Sequence, residues 1–335
     1  MKSTLQKLSA YQPLSKDEAK EAIFSIGRGE VSPSHTSAFL TTYMMRSITL
    51  QELSGFTEAL LELCVKVPFD PEEIIDLCGT GGDGKDTFNI STASSFVVAG
   101  AGQKVAKHGN YGISSNCGSS TVMEFLGARF TSDTDILKKQ MDASGLCFLH
   151  APLFHPAMKY VGPIRRELGL KTFFNMLGPL VNPAFPIRQL TGVFNLELAR
   201  MYGYLSQASG RKLTIVHDLN GYDEVSLTGP VKVISPVKDV MVTPEELGLP
   251  RLQPEEIASG ETVEDSAHLL VRVLKNEGTA AQKAVVLANA GLALSLTGDL
   301  NDWKEGIEKA RHSIESGAAW NSFQSYFSIQ PEPQS

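Results

Sequence analysis

Two short segments of this chain combine residues that could hold phosphate groups. Residues 79–84 read Gly-Thr-Gly-Gly-Asp-Gly after the apolar run 74–77, and residues 107–110 read Lys-His-Gly-Asn after an expected strand at 103–106. Glycine permits positive φ and lets backbone N–H groups approach an anion closely. We call residues 79–84 the glycine loop and residues 107–110 the lysine segment. Two such segments after neighbouring strands indicate a ligand with two separated phosphate groups.

Each segment is followed by small hydroxyl residues and then by a helical pattern. Residues 87–92 read Thr-Phe-Asn-Ile-Ser-Thr before the Ala-rich stretch 93–101, for which Ser91 or Thr92 is the expected N-cap. Residues 114–120 precede a second helical pattern at 121–127. A helix N-terminus presents free N–H donors and about half a positive charge, which favours phosphate binding.

Two common nucleotide-binding motifs match the glycine loop by letter but fail on chemistry. Gly79-x-Gly81-x-x-Gly84 is not followed directly by a helix, and the next strand ends in Lys107 and His108 instead of an acidic residue for a ribose hydroxyl. Residues 79–85 also match G-x-x-x-x-G-K. However, Asp86 stands where a triphosphate-binding loop needs Ser or Thr for magnesium.

Acidic residues at two places point to a cation. Asp83 lies inside the glycine loop, where it would repel a bare phosphate by about 1 kcal/mol even in high dielectric. Either a cation or a sugar hydroxyl would offset that repulsion, or Asp83 is a solvated residue that caps its own turn. Asp223 and Glu224 follow an expected strand at 212–219 and could both reach one magnesium ion, although a solvated acidic turn is the alternative. Together with two phosphate segments, these carboxylates favour magnesium pyrophosphate.

These blocks resemble anthranilate phosphoribosyltransferases. The similarity includes the glycine loop, residues 87–92, the lysine segment, the blocks 155–159 and 174–180, and the pair Asp223-Glu224, in the family's order and spacing from about Gln12 to Phe323. The resemblance implies an α/β fold of the nucleoside phosphorylase/phosphoribosyltransferase type, with a small N-terminal all-helical domain and a large domain whose central, mostly parallel sheet is flanked by helices. It also implies a homodimer through the helical domain.

The resemblance implies a magnesium-dependent glycosyltransferase of tryptophan biosynthesis. Its substrates would be phosphoribosyl pyrophosphate (PRPP) and anthranilate, and its products N-(5-phosphoribosyl)anthranilate and pyrophosphate. The residues that correspond to PRPP contacts are Gly79, Gly82, Asp83, Thr87, Asn89, Ile90, Ser91, Thr92, Lys107, His108, Gly109, Asn110, Ser114, Ser115 and Ser119. Those that correspond to anthranilate contacts are Gly79, Asn110, His155, Arg165 and Gly178. Magnesium, with two ions per active site, would be bound by Ser91, Asp223 and Glu224.

The implied reaction needs electrostatic stabilisation more than a nucleophile. Departure of pyrophosphate builds negative charge on the leaving group and positive charge on the ribose, so Lys107 and the metal would stabilise the transition state. The aromatic amine is already nucleophilic, and Arg165 can bind its carboxylate through the planar guanidinium, with Arg166 as the competing candidate. The chain departs from the family at Tyr111, Asn116 and Thr121, where relatives commonly carry Arg, Lys and Asp, and at His150, where an aromatic is more usual.

Two other classes share the fold type. A pyrimidine nucleoside phosphorylase has a different lysine-serine phosphate loop and does not need the Asp223-Glu224 pair. A nucleic-acid-binding relative would show basic grooves, whereas this chain has a net charge of -7. No apolar run approaches the ~20 residues of a membrane helix. The four cysteines show no metal or disulfide spacing, and the N-terminus shows no signal-peptide pattern, so we expect a cytoplasmic protein without nucleic-acid or membrane partners.

Helix and strand signals predict the domain organisation. Capping boxes at Ser15-x-x-Glu18 and Thr49-x-x-Glu52, with Ser32-Pro33, predict a helical domain at 1–66, which the resemblance extends by about 160–180. An α/β PRPP-binding domain is expected at 67–329 and a tail at 330–335. Its strands are expected near 74–77, 103–106, 146–149, 189–194 and 212–218, with further β structure at 225–245 and helices near 263–276, 280–297 and 301–316. An apolar stripe at Phe39, Leu40, Tyr43 and Met44 is either a dimer face or intrachain core.

Overall fold

The computed structural model describes residues 1–112, 117–298 and 302–332, and the chain divides into two compact units. The helical unit contains residues 1–67 and 151–183, and the α/β unit contains residues 68–150 and the chain from residue 184 onward. The second segment of the helical unit is therefore longer than the expected 160–180. Within the described ranges, no helix has both the length and the apolar character that crossing a membrane requires.

The helical unit is built from capped helices. Its helices are α1 (Lys2–Ser9), α2 (Lys16–Gly27), α3 (Pro33–Met45), α4 (Leu50–Leu63), α8 (Ala151–Phe154) and α9 (Met158–Leu168), followed by two 3-10 turns at Phe173–Met176 and Gly178–Leu180. Both predicted capping boxes are confirmed, as is Ser32 as the N-cap before Pro33. Each box satisfies backbone N–H groups that a helix start would otherwise leave without partners.

An aromatic cluster forms the core of the helical unit. Phe173 stacks on Phe56 with ring centroids 4.5 Å apart and contacts Phe39 and Tyr43 edge-on. Phe39 and Leu40 are fully buried, and Tyr43 is nearly so. These three residues of the apolar stripe are therefore intrachain core, and the dimer-face interpretation is wrong for them.

The α/β unit is organised around a seven-stranded sheet in the order β3-β2-β1-β4-β5-β6-β7. The strands are β1 (Ile74–Leu77), β2 (Lys104–Gly109), β3 (Leu146–His150), β4 (Arg188–Gly192), β5 (Lys212–Asp218), β6 (Val231–Ile234) and β7 (Asp239–Val242). The first five strands in this order pair in parallel, and β6 and β7 add antiparallel. The predicted mostly parallel sheet is confirmed.

Helices cover this sheet, and two of them are almost entirely buried. The helices are α5 (Ile90–Gly100), α6 (Ser119–Phe125), α7 (Thr134–Ser144), α10 (Leu196–Ser209), α11 (Val263–Leu274), α12 (Ala280–Ser295), α13 (Trp303–Glu315) and α14 (Ala318–Ser328), with a 3-10 turn at Pro254–Ile257. Helices α5 and α12 pack against each other in the core. Helix α14 was not expected from the sequence.

The strand order creates a natural binding edge. The crossover from β1 leads to β2 on one side, whereas β4 pairs with β1 on the other side. In open α/β sheets, ligands bind outside the carboxyl ends of strands at such a reversal. The glycine loop directly follows β1 at this point. Strand β2 continues to Gly109, so Lys107 and His108 lie in the strand and not after it.

Candidate active site

The N-terminus of helix α5 differs from the sequence prediction. The helix begins at Ile90 after Asn89, so Ser91 and Thr92 lie in its first turn and neither is the N-cap. The Asn89 side chain makes no capping bond; it donates to the carbonyl of Cys117 (2.8 Å) and accepts from Ser266 Oγ (2.9 Å). The backbone N–H of Ser91 instead donates to Glu224 Oε1 at 3.2 Å. The helix N-terminus is thereby brought against a carboxylate 133 positions away in sequence.

Glycines let an acidic turn, defined as residues 221–225, approach the ends of β1 and β4. The backbone N–H of Gly81 donates to Asp223 Oδ2 at 2.6 Å. A Cβ atom on Gly79 would lie 2.6 Å from the same oxygen, and one on Gly192 would overlap the backbone carbonyl of Asp223. Three residues of the glycine loop have positive φ, namely Gly81, Gly82 and Gly84. Side chains at Gly79 and Gly192 would therefore displace the acidic turn.

Asp83 joins the glycine loop to the acidic turn. Its Oδ1 accepts from the backbone N–H of Lys85 (3.0 Å), and its Oδ2 accepts from the backbone N–H of Asp223 (3.3 Å). Lys85 extends over the ring of Tyr222, with its Nζ 4.9 Å from the centroid. Asp83 thus caps its own turn, as one interpretation held, and also lies beside a second carboxylate.

The acidic turn concentrates negative charge that the protein does not fully compensate. Burial, followed by the neighbouring Asp83 and Glu224 carboxylates, raises the pKa of Asp223 well above its usual range. Burial also raises the pKa of Glu224 to about 7, although Lys107 and the Ser91 N–H favour its ionised form. A bound cation would relieve this repulsion.

Lys107 is buried below the start of helix α5. Only 2% of the residue is exposed, and its Nζ donates to the carbonyl of Leu77 (2.6 Å) and to Ser91 Oγ (3.3 Å). An ammonium group carries three donors, and a buried one stabilises nearby negative charge more strongly than a solvated one. Lys107 therefore adds positive charge to the helix start at which Ser91 meets Glu224.

The donor set fits a magnesium ion that shares its coordination with phosphate. Across residues 1–112, 117–298 and 302–332, no three or more His, Cys, Asp or Glu side chains form a group that could enclose a metal alone. Magnesium in phosphate-handling sites usually takes one or two carboxylates and completes its sphere with phosphate oxygens and water. The oxygens of Asp223 and Glu224, with the Ser91 hydroxyl beside them, meet that description.

The lysine segment is held by side chains from both sides. Asp76 Oδ1 accepts from the backbone N–H of His108 (3.1 Å). Asn110 accepts from Ser119 Oγ and donates its N–H to it, both at 3.3 Å. A Cβ on Gly109 would lie 2.8 Å from Ser119 Oγ. The predicted site residues Ser114 and Ser115 lie outside the described residues, as does Asn116.

Tyr111 and His150, two departures from the family pattern, lie in one cluster. Tyr111 Oη donates to Glu124 Oε1 at 2.8 Å, and its ring meets the His150 ring edge-on at 4.9 Å. His150 Nδ1 is 2.8 Å from Ser120 Oγ and its ring stacks on Phe130. Burial lowers the pKa of His150, which favours the neutral form of its imidazole. Tyr111, at a position where the family resemblance leads us to expect Arg, is bonded to a carboxylate.

Three predicted anthranilate contacts, Arg165, His155 and Gly178, lie in the helical unit. Arg165 is half-buried, donates to Asn175 Oδ1 (3.2 Å) and lies 5.4 Å from the centroid of the Phe174 ring. The Nδ2 group of Asn175 is buried and has no hydrogen-bond partner among the described residues. Burial lowers the pKa of His155 to about 4, which keeps its ring neutral. Asn175 was not predicted as a site residue, although it lies in the 174–180 block.

Comparisons with known proteins identify the family. Residues 71–320 match the model of the glycosyl transferase family a/b domain, and residues 2–64 match that of its helical bundle domain. The anthranilate phosphoribosyltransferase of Christiangramia forsetii is 56% identical over 96% of this chain and 97% of its own length. That of Bacteroides thetaiotaomicron is 47% identical over 95% and 96%. This chain belongs to the anthranilate phosphoribosyltransferase family.

Solved anthranilate phosphoribosyltransferase structures have the same fold. The protein from Thermus thermophilus superposes with a TM-score of 0.90 at 34% identity, covering 97% of this chain and 98% of that one. A Saccharomyces cerevisiae anthranilate phosphoribosyltransferase in complex with PRPP and Mg superposes with a TM-score of 0.90 at 30% identity, covering 98% and 96%. The resemblance drawn from the sequence motifs is confirmed.

Proposed function

We infer that this chain transfers the phosphoribosyl group of PRPP to the amine of anthranilate. The products are N-(5-phosphoribosyl)anthranilate and pyrophosphate, a step of tryptophan biosynthesis. The observation that carries this function is the contact of the acidic turn with both the glycine loop and the start of helix α5, through Gly81–Asp223 and Ser91–Glu224. It joins carboxylates to two sets of backbone donors, as binding of a metal diphosphate requires.

The α/β unit holds the donor. Backbone N–H groups of the glycine loop and of the first turn of α5, other than those of Gly81 and Ser91 that donate to the acidic turn, bind the diphosphate, and buried Lys107 adds positive charge nearby. Asp223, Glu224 and Ser91 would hold the magnesium ion, which would supply positive charge to neutralise the pyrophosphate leaving group. These groups stabilise charge that grows as the C1–O bond breaks, so they act on the transition state more than on the bound donor.

The acceptor needs orientation but no base. Its aryl amine attacks with its own lone pair, and Arg165 binds the anthranilate carboxylate. His155 is neutral at neutral pH and therefore does not compete with Arg165 for that carboxylate as a second cation. Within the helical unit, Gly178 is the third proposed anthranilate contact.

Three finer properties belong to the same proposal. Two magnesium ions would act in each active site. The Saccharomyces cerevisiae structure in complex with PRPP and Mg supports the use of magnesium, whereas the number of ions is a prediction. The chain forms a homodimer through the helical unit, which exposes large apolar side chains at Tyr11, Met45 and Leu170. Its four cysteines are free thiols, which is compatible with a cytoplasmic location.

The direct test is the loss of anthranilate fluorescence when PRPP is added. The unmodified chain should consume anthranilate with magnesium and should stop when the metal is chelated. Thymidine with phosphate should remain unchanged. Phosphorolysis of thymidine in place of anthranilate consumption would identify the protein as a nucleoside phosphorylase.

Adjacent arginines offer a matched pair for the acceptor site. Arg165→Ala should raise the anthranilate KM by about 10- to 100-fold, because the proposed ion pair with the anthranilate carboxylate is lost, and should change the PRPP KM by less than about threefold. Arg166 is the next residue and is exposed, so Arg166→Ala should leave both KM values within about twofold. Equal effects of Arg165→Ala on both substrates would contradict its assignment.

A further inference from the structure

Asn289, on helix α12, contacts the residue that directly follows Glu224. The side chain is 1% exposed; its Oδ1 accepts from the backbone N–H of Val225 (3.1 Å), and its Nδ2 donates to the carbonyl of Val225 (3.0 Å). Nδ2 also donates to the carbonyl of Val285 at 2.9 Å, one turn earlier in α12. The amide therefore bonds both backbone groups of a single residue, as a neighbouring strand would. Only a side chain that carries both a donor and an acceptor can do this.

This contact fixes the peptide plane of Glu224. The N–H that Asn289 accepts belongs to the peptide bond between Glu224 and Val225, so the orientation of that bond sets the direction from which the Glu224 side chain leaves the chain. Val225 is itself 1% exposed, and its two backbone groups would lose buried hydrogen bonds without the amide.

Helix α12 also contacts helix α5, whose N-terminus forms the other side of the site. Ser94 Oγ of α5 donates to the carbonyl of Val286 in α12 (3.4 Å), in the first half of the helix that begins at Ile90. Asn289 lies close to the site, because it lines a cavity of about 10 Å³ together with Ser91, Asp223 and Glu224. The same buried helix thus contacts both helix α5, whose Ser91 donates to Glu224, and the acidic turn that carries Glu224.

We propose that Asn289 is a positioning residue for the metal–diphosphate site: through Val225 it sets the distance and orientation of Glu224 relative to the N-terminus of helix α5. Its own polar atoms are used on backbone groups, so it acts on the metal only through Glu224 and Asp223. The proposal rests on the proposed function, because it assumes that these carboxylates bind a divalent cation with pyrophosphate.

Asn289→Asp tests the proposal with little change of shape. The substitution replaces the Nδ2 donor with an oxygen and so removes the bonds to the carbonyls of Val225 and Val285. We expect binding of Mn²⁺ in the presence of inorganic pyrophosphate, measured by electron paramagnetic resonance without turnover, to weaken about tenfold or more, as changes behind metal ligands do. The metal concentration for half-maximal rate should rise by the same factor, and the anthranilate KM should stay within about twofold.

Ser295→Ala is the matched control. Ser295 is a buried polar residue of the same helix whose Oγ donates to the carbonyl of Leu292 (2.7 Å), within α12 itself. Its substitution should leave Mn²⁺–pyrophosphate binding within about twofold. If Asn289→Asp does not fold, Asn289→Ser replaces it, and its Mn²⁺–pyrophosphate affinity is compared with that of the unmodified chain in the same way.

The outcomes separate this inference from the proposed function. A folded Asn289 variant that binds Mn²⁺ with pyrophosphate like the unmodified chain overturns the positioning role, as does a rise of the anthranilate KM equal to that of the metal requirement. Failure of the unmodified chain itself to bind Mn²⁺ with pyrophosphate and to consume anthranilate would overturn the proposed function instead.

Discussion

Each unit contains buried carboxylates, and the two units differ in how fully protein hydrogen bonds and positive charges compensate the negative charge. In the helical unit, Glu52 is fully buried and accepts hydrogen bonds from the backbone of Leu14 and Thr49, from the hydroxyls of Tyr43 and Thr49, and from the guanidinium of Arg46. Although burial opposes its ionisation, these bonds, first among them those from Arg46, lower the pKa of Glu52.

The acidic turn of the α/β unit shows the opposite balance. Asp223 and Glu224 each accept a backbone N–H, from Gly81 and Ser91, but burial, together with the neighbouring Asp83 carboxylate, raises both pKa values. A carboxylate with every lone pair satisfied by the protein serves the fold, whereas one left with excess charge is available to a ligand. This difference favours a structural role for Glu52 and supports the proposed metal-binding role of Asp223 and Glu224.

The largest expected effect is on turnover. Asp223→Asn with Glu224→Gln should reduce kcat/KM at least about 10³-fold, because the metal's stabilisation of the leaving group is worth several kcal/mol. The free energy of unfolding should be unchanged or higher, since two destabilised buried charges are removed. Fluorescence assays and chemical denaturation measure the two quantities.

An exposed acidic pair provides the control for that variant. Glu255→Gln with Glu256→Gln also removes two adjacent charges, from an exposed 3-10 turn, and should leave both rate and stability nearly unchanged. If the Asp223/Glu224 double variant keeps its turnover, the metal assignment is wrong.

The next effect is on stability. Glu52→Gln should lower the free energy of unfolding by roughly 3 kcal/mol, because it leaves Arg46 without its buried partner, while kcat of the folded protein stays within about twofold. Glu58→Gln on the same helix loses only partly exposed pairs with Lys16 and Lys20 and should cost less than about 1 kcal/mol. Equal losses in the two variants would remove the distinction drawn for Glu52.

The pH dependence follows from the lowered pKa of Glu52. Its ionisation stabilises the folded chain above the unfolded pKa, near 4.5, and this contribution disappears as pH falls through the lower folded pKa. The stability difference between the unmodified chain and Glu52→Gln should therefore be constant at neutral pH and shrink below about pH 4.5. Denaturation at several pH values measures it; a difference that grows in acid would contradict the sign.

The smallest effect concerns Tyr111. Burial and then the Glu124 carboxylate raise the pKa of Tyr111 to about 12, so the phenol remains a hydrogen-bond donor. Tyr111 is nevertheless 43% exposed, so its hydrogen bond to Glu124 competes with water. Tyr111→Phe should change the PRPP KM by less than about threefold and stability by less than about 0.5 kcal/mol. Glu124→Gln should match it within error; a tenfold rise in PRPP KM for either would assign this exposed contact a binding role.

Local signals made much of the fold predictable. Serine or threonine three residues before glutamate specified the starts of α2 and α4, and apolar runs specified the five parallel strands, because both depend on neighbours in sequence. The start of α5 was misjudged because Asn89 is bound by distant groups, at Cys117 and Ser266, rather than acting as a local cap.

The candidate site was predictable in its residue types but not in its contacts. Glycine-loop, lysine-segment and acidic residues were all identified by type and by the family resemblance. Hydrogen bonds between residues as far apart as Gly81 and Asp223 depend on how strands and helices pack, and no local pattern encodes them. Asn289 illustrates the limit, since an asparagine within an apolar helix gives no indication of its backbone partner.

The division of the helical unit into two chain segments has a consequence for synthesis on the ribosome. Residues 1–67 emerge first, and three strands of the sheet follow them. Only then does the second segment of the helical unit emerge. That segment carries Phe173, whose ring stacks on Phe56, and the carbonyls of Phe154 and Pro183, which accept from Val65 and Val67. During this interval, the nascent N-terminal helices lack Phe173, and their aromatic core is incomplete. Chaperone contact and aggregation risk should concentrate in that interval.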